Sequence, residues 1–89
     1  MAEIVRRATA GTLESSDAYV ELEPGAGEIE IELDSVVEGQ FGAQIRRVVA
    51  EVLAEQCVES ARVKLVDRGA LDCVIRARVE TAVARAKGE

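Results

Sequence analysis

The chain has 89 residues, of which 48% are hydrophobic and 31% charged, and its formal net charge is −6 at pH 7. This size and composition predict one small globular domain over residues 1–89, well outside the range of disordered acidic segments. Nucleic acid is excluded as a favoured partner, because the chain has a negative balance and only one Tyr and one Phe for bases to stack on.

Membrane and metal partners are not indicated either. No stretch approaches the roughly 18 apolar residues of a membrane helix, and the N-terminus lacks the apolar run of a signal peptide. A cytoplasmic protein with no membrane partner is therefore expected. Cys57 and Cys73 are interpreted as reduced core residues, and without any histidine they form too small a ligand set for a metal.

The first predicted element is a short edge strand within residues 7–13, followed by a hairpin tip around residues 14–17. The tip reads Glu-Ser-Ser-Asp, and such side chains hydrogen-bond local backbone in turns. If Ser15 and Ser16 form a tight turn, the inward-facing residues of the first strand are Thr9, Gly11 and Leu13. They would lie opposite Leu22, Val20 and Ala18, respectively, on the next strand.

Two segments of strict alternation follow, at residues 17–23 and 28–34, separated by Pro-Gly-Ala-Gly at 24–27. Alternation of this kind is typical of half-buried strands, and the intervening residues suit a hairpin loop. A four-residue loop would place Leu22 opposite Ile29, and Glu21 opposite Glu30. The sequence therefore predicts a second hairpin with one apolar and one acidic face.

The charges are unevenly distributed along the chain. Residues 12–38 contain nine acids and no base, whereas residues 39–89 contain seven acids and nine bases. Acids opposite each other on neighbouring strands repel, so this face is interpreted either as a simple solvated surface or as a docking surface for a basic partner.

A helix, a strand and a second helix complete the chain. Ser35 and Glu38 fit a capping box, and a helix over about residues 36–56 is predicted from apolar side chains at helical spacing, namely Val37, Phe41, Ile45, Val48, Val49, Val52 and Leu53. Alternation at 61–66 predicts a strand parallel to 28–34, joined to it by the helical crossover. A second helix is expected over about residues 69–86.

The predicted fold class is therefore α+β. It consists of a small three- or four-stranded, mainly antiparallel sheet with two helices packed on one face.

No residue of the chain is predicted to be catalytic. Acid–base chemistry near neutral pH usually uses His or a buried carboxylate, but histidine is missing and the acids alternate outward. A pair of glutamates acting as in glycosidases would need a cleft, which so small a sheet does not supply. Gly25 and Gly27 lack the strand-loop-helix context of a phosphate-binding loop.

Ser15 and Ser16 have no base to activate them, and Glu14 and Asp17 disfavour an alkoxide. Two interpretations remain open from the residues alone. The serines either serve only as turn residues, or one exposed hydroxyl is modified by another enzyme that brings its own catalytic groups.

Three stretches carry a resemblance to a known family. Residues 10–17 (AGTLESSD), residues 35–45 with Gln-Phe-Gly at 40–42, and residues 67–78 (DRGALDCVIRAR) resemble, in this order, motifs of the citrate lyase acyl carrier protein, the gamma chain. Together these stretches extend over most of the chain.

The resemblance implies a cofactor and its anchor. Ser15 matches the serine that holds 2′-(5″-phosphoribosyl)-3′-dephospho-coenzyme A through a phosphodiester. Position 16 is commonly glycine in such proteins, which makes Ser16 the less favoured anchor.

The resemblance also implies partners, with the chain acting as a non-catalytic carrier subunit in citrate fermentation. The alpha chain, an acyl-carrier transferase, exchanges the acetyl group for citrate and releases acetate. The beta chain, a citryl lyase, releases oxaloacetate, and a prosthetic-group transferase attaches the arm. The alternatives are the acyl carrier chain of malonate decarboxylase and an unmodified acidic adaptor.

Overall fold

The computed structural model describes residues 3–87, which form four strands and two helices. In chain order these are β1 (Ala8–Gly11), β2 (Ala18–Glu23), β3 (Ile29–Ser35), α1 (Glu38–Glu55), β4 (Ala61–Asp67) and α2 (Asp72–Ala86). The strand order in the sheet is β1-β2-β4-β3. The predicted α+β class, with two helices over one face of a small sheet, is confirmed. Within residues 3–87, no helix is long and apolar enough to cross a membrane.

The predicted hairpin between residues 17–23 and 28–34 is wrong, because β4 lies between these two strands. β4 pairs antiparallel with β2, placing Lys64 opposite Glu21, and parallel with β3, placing Lys64 opposite Glu32. The parallel β3-α1-β4 unit is as predicted. Insertion of β4 puts bases between two acidic strands, which removes the repulsion that the predicted pairing would have created.

The β1–β2 hairpin forms as predicted, with a register shifted by one residue. Ala8 lies opposite Leu22 and Ala10 opposite Val20, so alanines face the core where Thr9 and Gly11 were expected. A shift of one position exchanges the two faces of a strand. Small side chains suit this edge strand, because α2 packs directly over β1 and β2.

The core lies between the sheet and the two helices. α2 covers β1 and β2, α1 covers β3, and the helices pack against each other. Among residues 3–87, nine apolar side chains larger than alanine are less than 2% exposed, and they are Val20, Leu22, Val49, Val52, Leu53, Leu65, Ile75, Val79 and Val83. At about 1.5–3 kcal/mol for each buried side chain, this cluster is the main source of stability.

The ends of α1 differ from the prediction. The helix begins after Val37, whose side chain makes no capping hydrogen bond, and the Ser35 hydroxyl accepts a hydrogen bond from the amide of Val37 at 3.1 Å instead of capping Glu38. The predicted capping box is therefore wrong. Ser35 is the last residue of β3, and its hydroxyl also donates to Asp67.

The C-terminus of α1 explains the position of one cysteine. The amides of Cys57 and Val58 donate to the carbonyls of Ala54 and Leu53, at 3.0 and 2.9 Å, and Cys57 has a φ of 60°. This is the Schellman arrangement, in which the residue after the cap adopts the left-handed conformation. Cys57 therefore points away from the core. Cys73 is exposed as well, so the predicted burial of both thiols is wrong.

Candidate functional site

One end of the sheet, called here the serine end, collects the connections that hold the candidate residues. β3 and β4 end there at Ser35 and Asp67, which lie side by side, and β2 begins there at Ala18, opposite Asp67. The β1–β2 connection, residues 12–17, is called here the tip. The tip, the β3–α1 connection and the β4–α2 connection therefore meet at the same end of the molecule.

Ser15 lies in the turn at the tip and is exposed to solvent. The residue after it is fixed by the backbone: Ser16 has a φ of 66°, and its amide donates to the carbonyl of Arg68 at 2.8 Å. In return, the amide of Arg68 donates to the carbonyl of Asp17 at 3.0 Å. These two hydrogen bonds join the tip to the β4–α2 connection and hold the Ser15 hydroxyl at the surface.

Asp17 forms the second attachment of the tip. Both carboxylate oxygens accept hydrogen bonds from Arg78 of α2, Nε to Oδ1 and Nη2 to Oδ2, each at 2.9 Å. The Thr12 hydroxyl donates to Oδ2 at 2.6 Å, so Asp17 also joins the two sides of the tip. The carboxyl side chain is 13% exposed. The Arg78 guanidinium, the Thr12 hydroxyl and the Ala18 amide together hold the pKa of Asp17 well below its usual range.

β1 ends, just before the tip, at a position that only glycine can occupy. Gly11 has a φ of 94°, and a Cβ atom there would lie 1.9 Å from the carbonyl oxygen of Ala18. The two backbones approach too closely for any side chain, and the conformation itself favours glycine. The glycine of the family-like stretch 10–17 thus has a structural reason, which is the close approach of β1 to the start of β2.

Asp67 organises the other two connections. It is the one fully buried charged side chain among residues 3–87. Its carboxylate accepts hydrogen bonds from the Ser35 hydroxyl at 2.8 Å and from the amide of Ala70 at 2.9 Å. Its backbone carbonyl accepts from the amide of Val36 at 3.2 Å. One side chain therefore fixes both the β3–α1 and the β4–α2 connections beside the tip.

The open face of the sheet carries charges of both signs, so its description as a purely acidic surface is wrong. Arg62 lies 3.4 Å from Glu30, and Lys64 lies 3.9 Å from Glu32. At the other edge, Arg7 forms a 2.6 Å ion pair with Glu21. The acids predicted as a docking surface are therefore largely balanced within the domain itself.

The chemistry available at the serine end is that of an accessible hydroxyl. Ser15 is exposed, and the groups around it stabilise the bend. Within residues 3–87, no group of three or more His, Cys, Asp or Glu side chains is placed to hold a metal ion. An enzyme acting from outside can reach the Ser15 hydroxyl, so the site fits a group attached covalently by a partner.

The structure keeps the two predicted serines together at the tip and gives roles to residues for which the sequence predicted none. Arg78 and Asp67 stand at the two ends of the family-like stretch 67–78, but no contact was predicted for either side chain. Arg78 lies 61 residues from Asp17, its ion-pair partner, in the sequence. The signal for Asp67 was weak, although an acid as the last inward-facing residue of an otherwise apolar strand pattern is unusual.

Comparison with known proteins places the chain in a family. Residues 5–86 match the model of the acyl carrier family described as "Malonate decarboxylase delta subunit (MdcD)". The citrate lyase acyl carrier protein of Cronobacter sakazakii is 58% identical over 84 residues, covering 94% of this chain and 87% of the relative. That of Vibrio cholerae is 56% identical over 85 residues, with the same shares covered.

A solved structure has the same fold. It is a chain of the Pseudomonas malonate decarboxylase hetero-tetramer, crystallised in complex with malonate. The TM-score is 0.82 at 26% identity, and the match covers 96% of this chain and 88% of that one. The strand order, with β4 between β2 and β3, therefore belongs to a fold that a subunit of a larger assembly also uses.

These similarities determine the class of the protein. The relatives are named as carrier proteins, in agreement with the prediction of a non-catalytic carrier chain. Acyl carrier proteins hold their acyl group on a covalently attached prosthetic group and serve as subunits of larger complexes. With relatives above 50% identity along nearly its whole length, the chain belongs to the citrate lyase acyl carrier protein family.

Proposed function

We propose that the chain is the acyl carrier subunit of a citrate lyase and that Ser15 is its attachment residue. The observation that carries the proposal is the exposed Ser15 hydroxyl on a tip that is hydrogen-bonded to the β4–α2 connection. A carrier needs an accessible anchor on a stable domain, and it needs no catalytic groups of its own. The alpha and beta chains, acyl-carrier transferase and citryl lyase, then convert citrate into acetate and oxaloacetate.

The proposed prosthetic group is 2′-(5″-phosphoribosyl)-3′-dephospho-coenzyme A. When bound, it supplies a terminal thiol that carries acyl groups as thioesters. The chain contributes the Ser15 oxygen, which would form the new bond to phosphorus when a transferase breaks a phosphoanhydride bond of an activated donor, and the donor's remaining phosphate or diphosphate would leave. The hydroxyl proton would pass to a base of the transferase, because this chain has no histidine to accept it.

The backbone supports Ser15 rather than Ser16 as the anchor. Ser16 has the positive φ of 66° that favours glycine, which is the residue common at this position in the family. A position that tolerates glycine does not need a hydroxyl. The role of Ser16 is therefore to complete the bend, with its amide bonded to the carbonyl of Arg68.

A mass measurement tests the attachment. The protein is purified from a citrate-fermenting host that makes the arm, as wild type, Ser15→Ala and Ser16→Ala. We expect the mass of the arm on the wild type and on Ser16→Ala, and the bare chain mass for Ser15→Ala. Loss of the arm in Ser16→Ala alone would move the anchor to Ser16. A bare wild-type chain would support the adaptor alternative and contradict the carrier proposal.

A second candidate is supported by the family model and by the Pseudomonas structure. Both connect the fold with malonate decarboxylase, although that structure is only 26% identical. Reconstitution distinguishes the two assemblies. The modified and acetylated carrier is mixed with citrate lyase alpha and beta chains or with the malonate decarboxylase subunits. We expect oxaloacetate from citrate in the first mixture, and no carbon dioxide from malonate in the second.

A further inference from the structure

The serine end carries apolar side chains that the fold does not use. Across residues 3–87, five large apolar side chains are exposed, and four of them belong to the serine end. Leu13 lies on the tip, Val36 on the β3–α1 connection, Phe41 on the first turn of α1 and Leu71 on the β4–α2 connection. Their exposed fractions are 57%, 61%, 45% and 72%. Scattered exposed apolar residues are ordinary, but a cluster at one end marks an interaction surface.

Two of these side chains border a groove. Phe41 and Leu71 face a depression of about 380 Å³ between the start of α1 and the β4–α2 connection, with Ile45 and Ala70 at its sides. Its shape is fixed by the Gln44 amide, which donates to the Asp72 carboxylate at 2.8 Å across the two helices. The groove is joined to the tip through Arg68, whose backbone bonds Ser16 and Asp17.

We propose that this surface, defined by Val36, Phe41 and Leu71, is the docking site for the transferase that attaches the arm to Ser15. The proposal rests on the proposed function. The alpha and beta chains also bind the carrier as a subunit, but they act on the far end of the arm and need no contact at the anchor itself. A transferase must bring its own catalytic groups to the Ser15 oxygen, and a stable protein interface covers about 800 Å² of each partner. Its footprint therefore extends from the tip over the adjoining apolar surface.

Charge around the patch agrees with this occupant. Glu38 in the first turn of α1 and Asp72 in the first turn of α2 are exposed, close in the chain to Phe41 and Leu71. An enzyme that binds a phosphorylated donor has a basic rim around its active site, and an acidic border complements such a rim. A second copy of this chain is a poor occupant, because two molecules of net charge −6 repel each other.

Leu71 allows a test in which folding and docking change in opposite directions. Leu71 is the N-cap residue of α2, and its side chain makes no capping hydrogen bond. Asparagine is among the best residues at an N-cap, so Leu71→Asn should keep or raise the Tm while it removes the apolar side chain. Phe41→Gln is a second variant, with a helix-forming residue in the first turn of α1. Val5→Ser is the matched control, because Val5 is 54% exposed and its amide bonds Ala86 at the far end of α2.

The experiment measures transfer of the arm to the unmodified carrier by purified transferase, followed by intact mass. We expect Leu71→Asn and Phe41→Gln to raise the KM for the carrier about tenfold with little change in kcat, the pattern of a lost binding contact. Val5→Ser should match the wild type. In calorimetric titrations with unmodifiable Ser15→Ala carrier, Leu71→Asn should weaken transferase binding and make the heat-capacity change of binding less negative.

The outcomes separate this inference from the function it rests on. If the wild type gains the arm at Ser15 while Leu71→Asn and Phe41→Gln are modified with unchanged KM, the docking site is wrong and the carrier function stands. Normal arm transfer combined with weaker binding to the alpha or beta chain would assign the patch to those chains and overturn the proposal. The proposal would also be overturned if light scattering showed that the wild type forms a dimer and that Leu71→Asn does not.

Discussion

Arg78 and Asp17 lie 61 residues apart in the sequence, yet their side chains form a two-point ion pair in which both hydrogen bonds measure 2.9 Å. The pair connects the second helix to the tip that bears Ser15. Paired contacts of this type fix orientation as well as distance. The position of the tip is therefore determined by a helix that lies outside the hairpin.

Loss of this pair should loosen the tip without unfolding the domain. In Arg78→Met, we expect the amides of Ser16 and Arg68, which bond across the tip, to exchange with solvent about tenfold faster. Amide hydrogen exchange followed by NMR measures this directly. Arg76→Met is the matched control on the same helix, since Arg76 pairs with Glu51 and Glu55 of α1. Equal exchange rates at the tip in both variants would contradict the claim that the Arg78–Asp17 pair restrains the tip.

The same pair predicts a dependence of stability on pH. The pKa of Asp17 is lower in the folded protein than its ordinary value of 3.8. A group with a lowered folded-state pKa contributes stability that is complete above its unfolded-state pKa and is lost as the pH falls toward the folded one. The stability difference between wild type and Asp17→Asn should be constant from about pH 7 to pH 5 and shrink below about pH 4. Urea denaturation across this range checks it, and a difference that grows on acidification would contradict it.

Within residues 3–87, two non-glycine residues have the left-handed backbone conformation, and replacing either with glycine should stabilise the protein. Ser16 has a φ of 66° and Cys57 a φ of 60°. Ser16→Gly and Cys57→Gly should each raise the free energy of unfolding by about 0.5–1 kcal/mol, because glycine adopts this conformation without the Cβ clash. Ser15→Gly is the control: its φ is not positive, so glycine there should lower stability by a similar amount. Urea denaturation of the three variants gives the comparison.

The central base of the open face should matter for stability. Lys64 lies between Glu21 on β2 and Glu32 on β3. Lys64→Glu would create a row of three acids and should lower the free energy of unfolding by about 0.5–1 kcal/mol, whereas Lys64→Gln should cost about half as much. Added salt should shrink the difference between the two variants, as expected for exposed charges. Denaturation at low and high salt measures both effects, and equal stability of the variants at low salt would refute the pairing.

The sequence predicted the elements of the fold better than their neighbours in the sheet. Alternation at residues 28–34 and 61–66 identified β3 and β4, and the intervening helix identified their parallel pairing. The false hairpin arose because Pro-Gly-Ala-Gly at 24–27 suits a tight loop and the apolar registers matched. Charge could have corrected it, since Arg62 and Lys64 alternate with the core residues of β4 and complement both acidic strands.

The sequence predicted only the part of the candidate site that depends on neighbouring residues in the chain. Ser15 lies in a short run of turn residues, and its place on an exposed bend follows from those neighbours. Asp17 depends on Arg78, and Ser35 depends on Asp67, 32 residues later. These pairs form only once the sheet has brought the connections together, so no periodicity or spacing within one segment indicates them.

The reciprocal peptide bonds between Ser16, Arg68 and Asp17 have a mechanical consequence. If the tip were mobile, its motion would add to that of an attached arm. The end of the arm would then sample a larger volume than is needed to reach the active sites. These bonds restrain the tip. If Ser15 is the attachment residue, as proposed, the region reached by the attached group is a dome centred on a nearly fixed point, and its radius is set by the length of the arm.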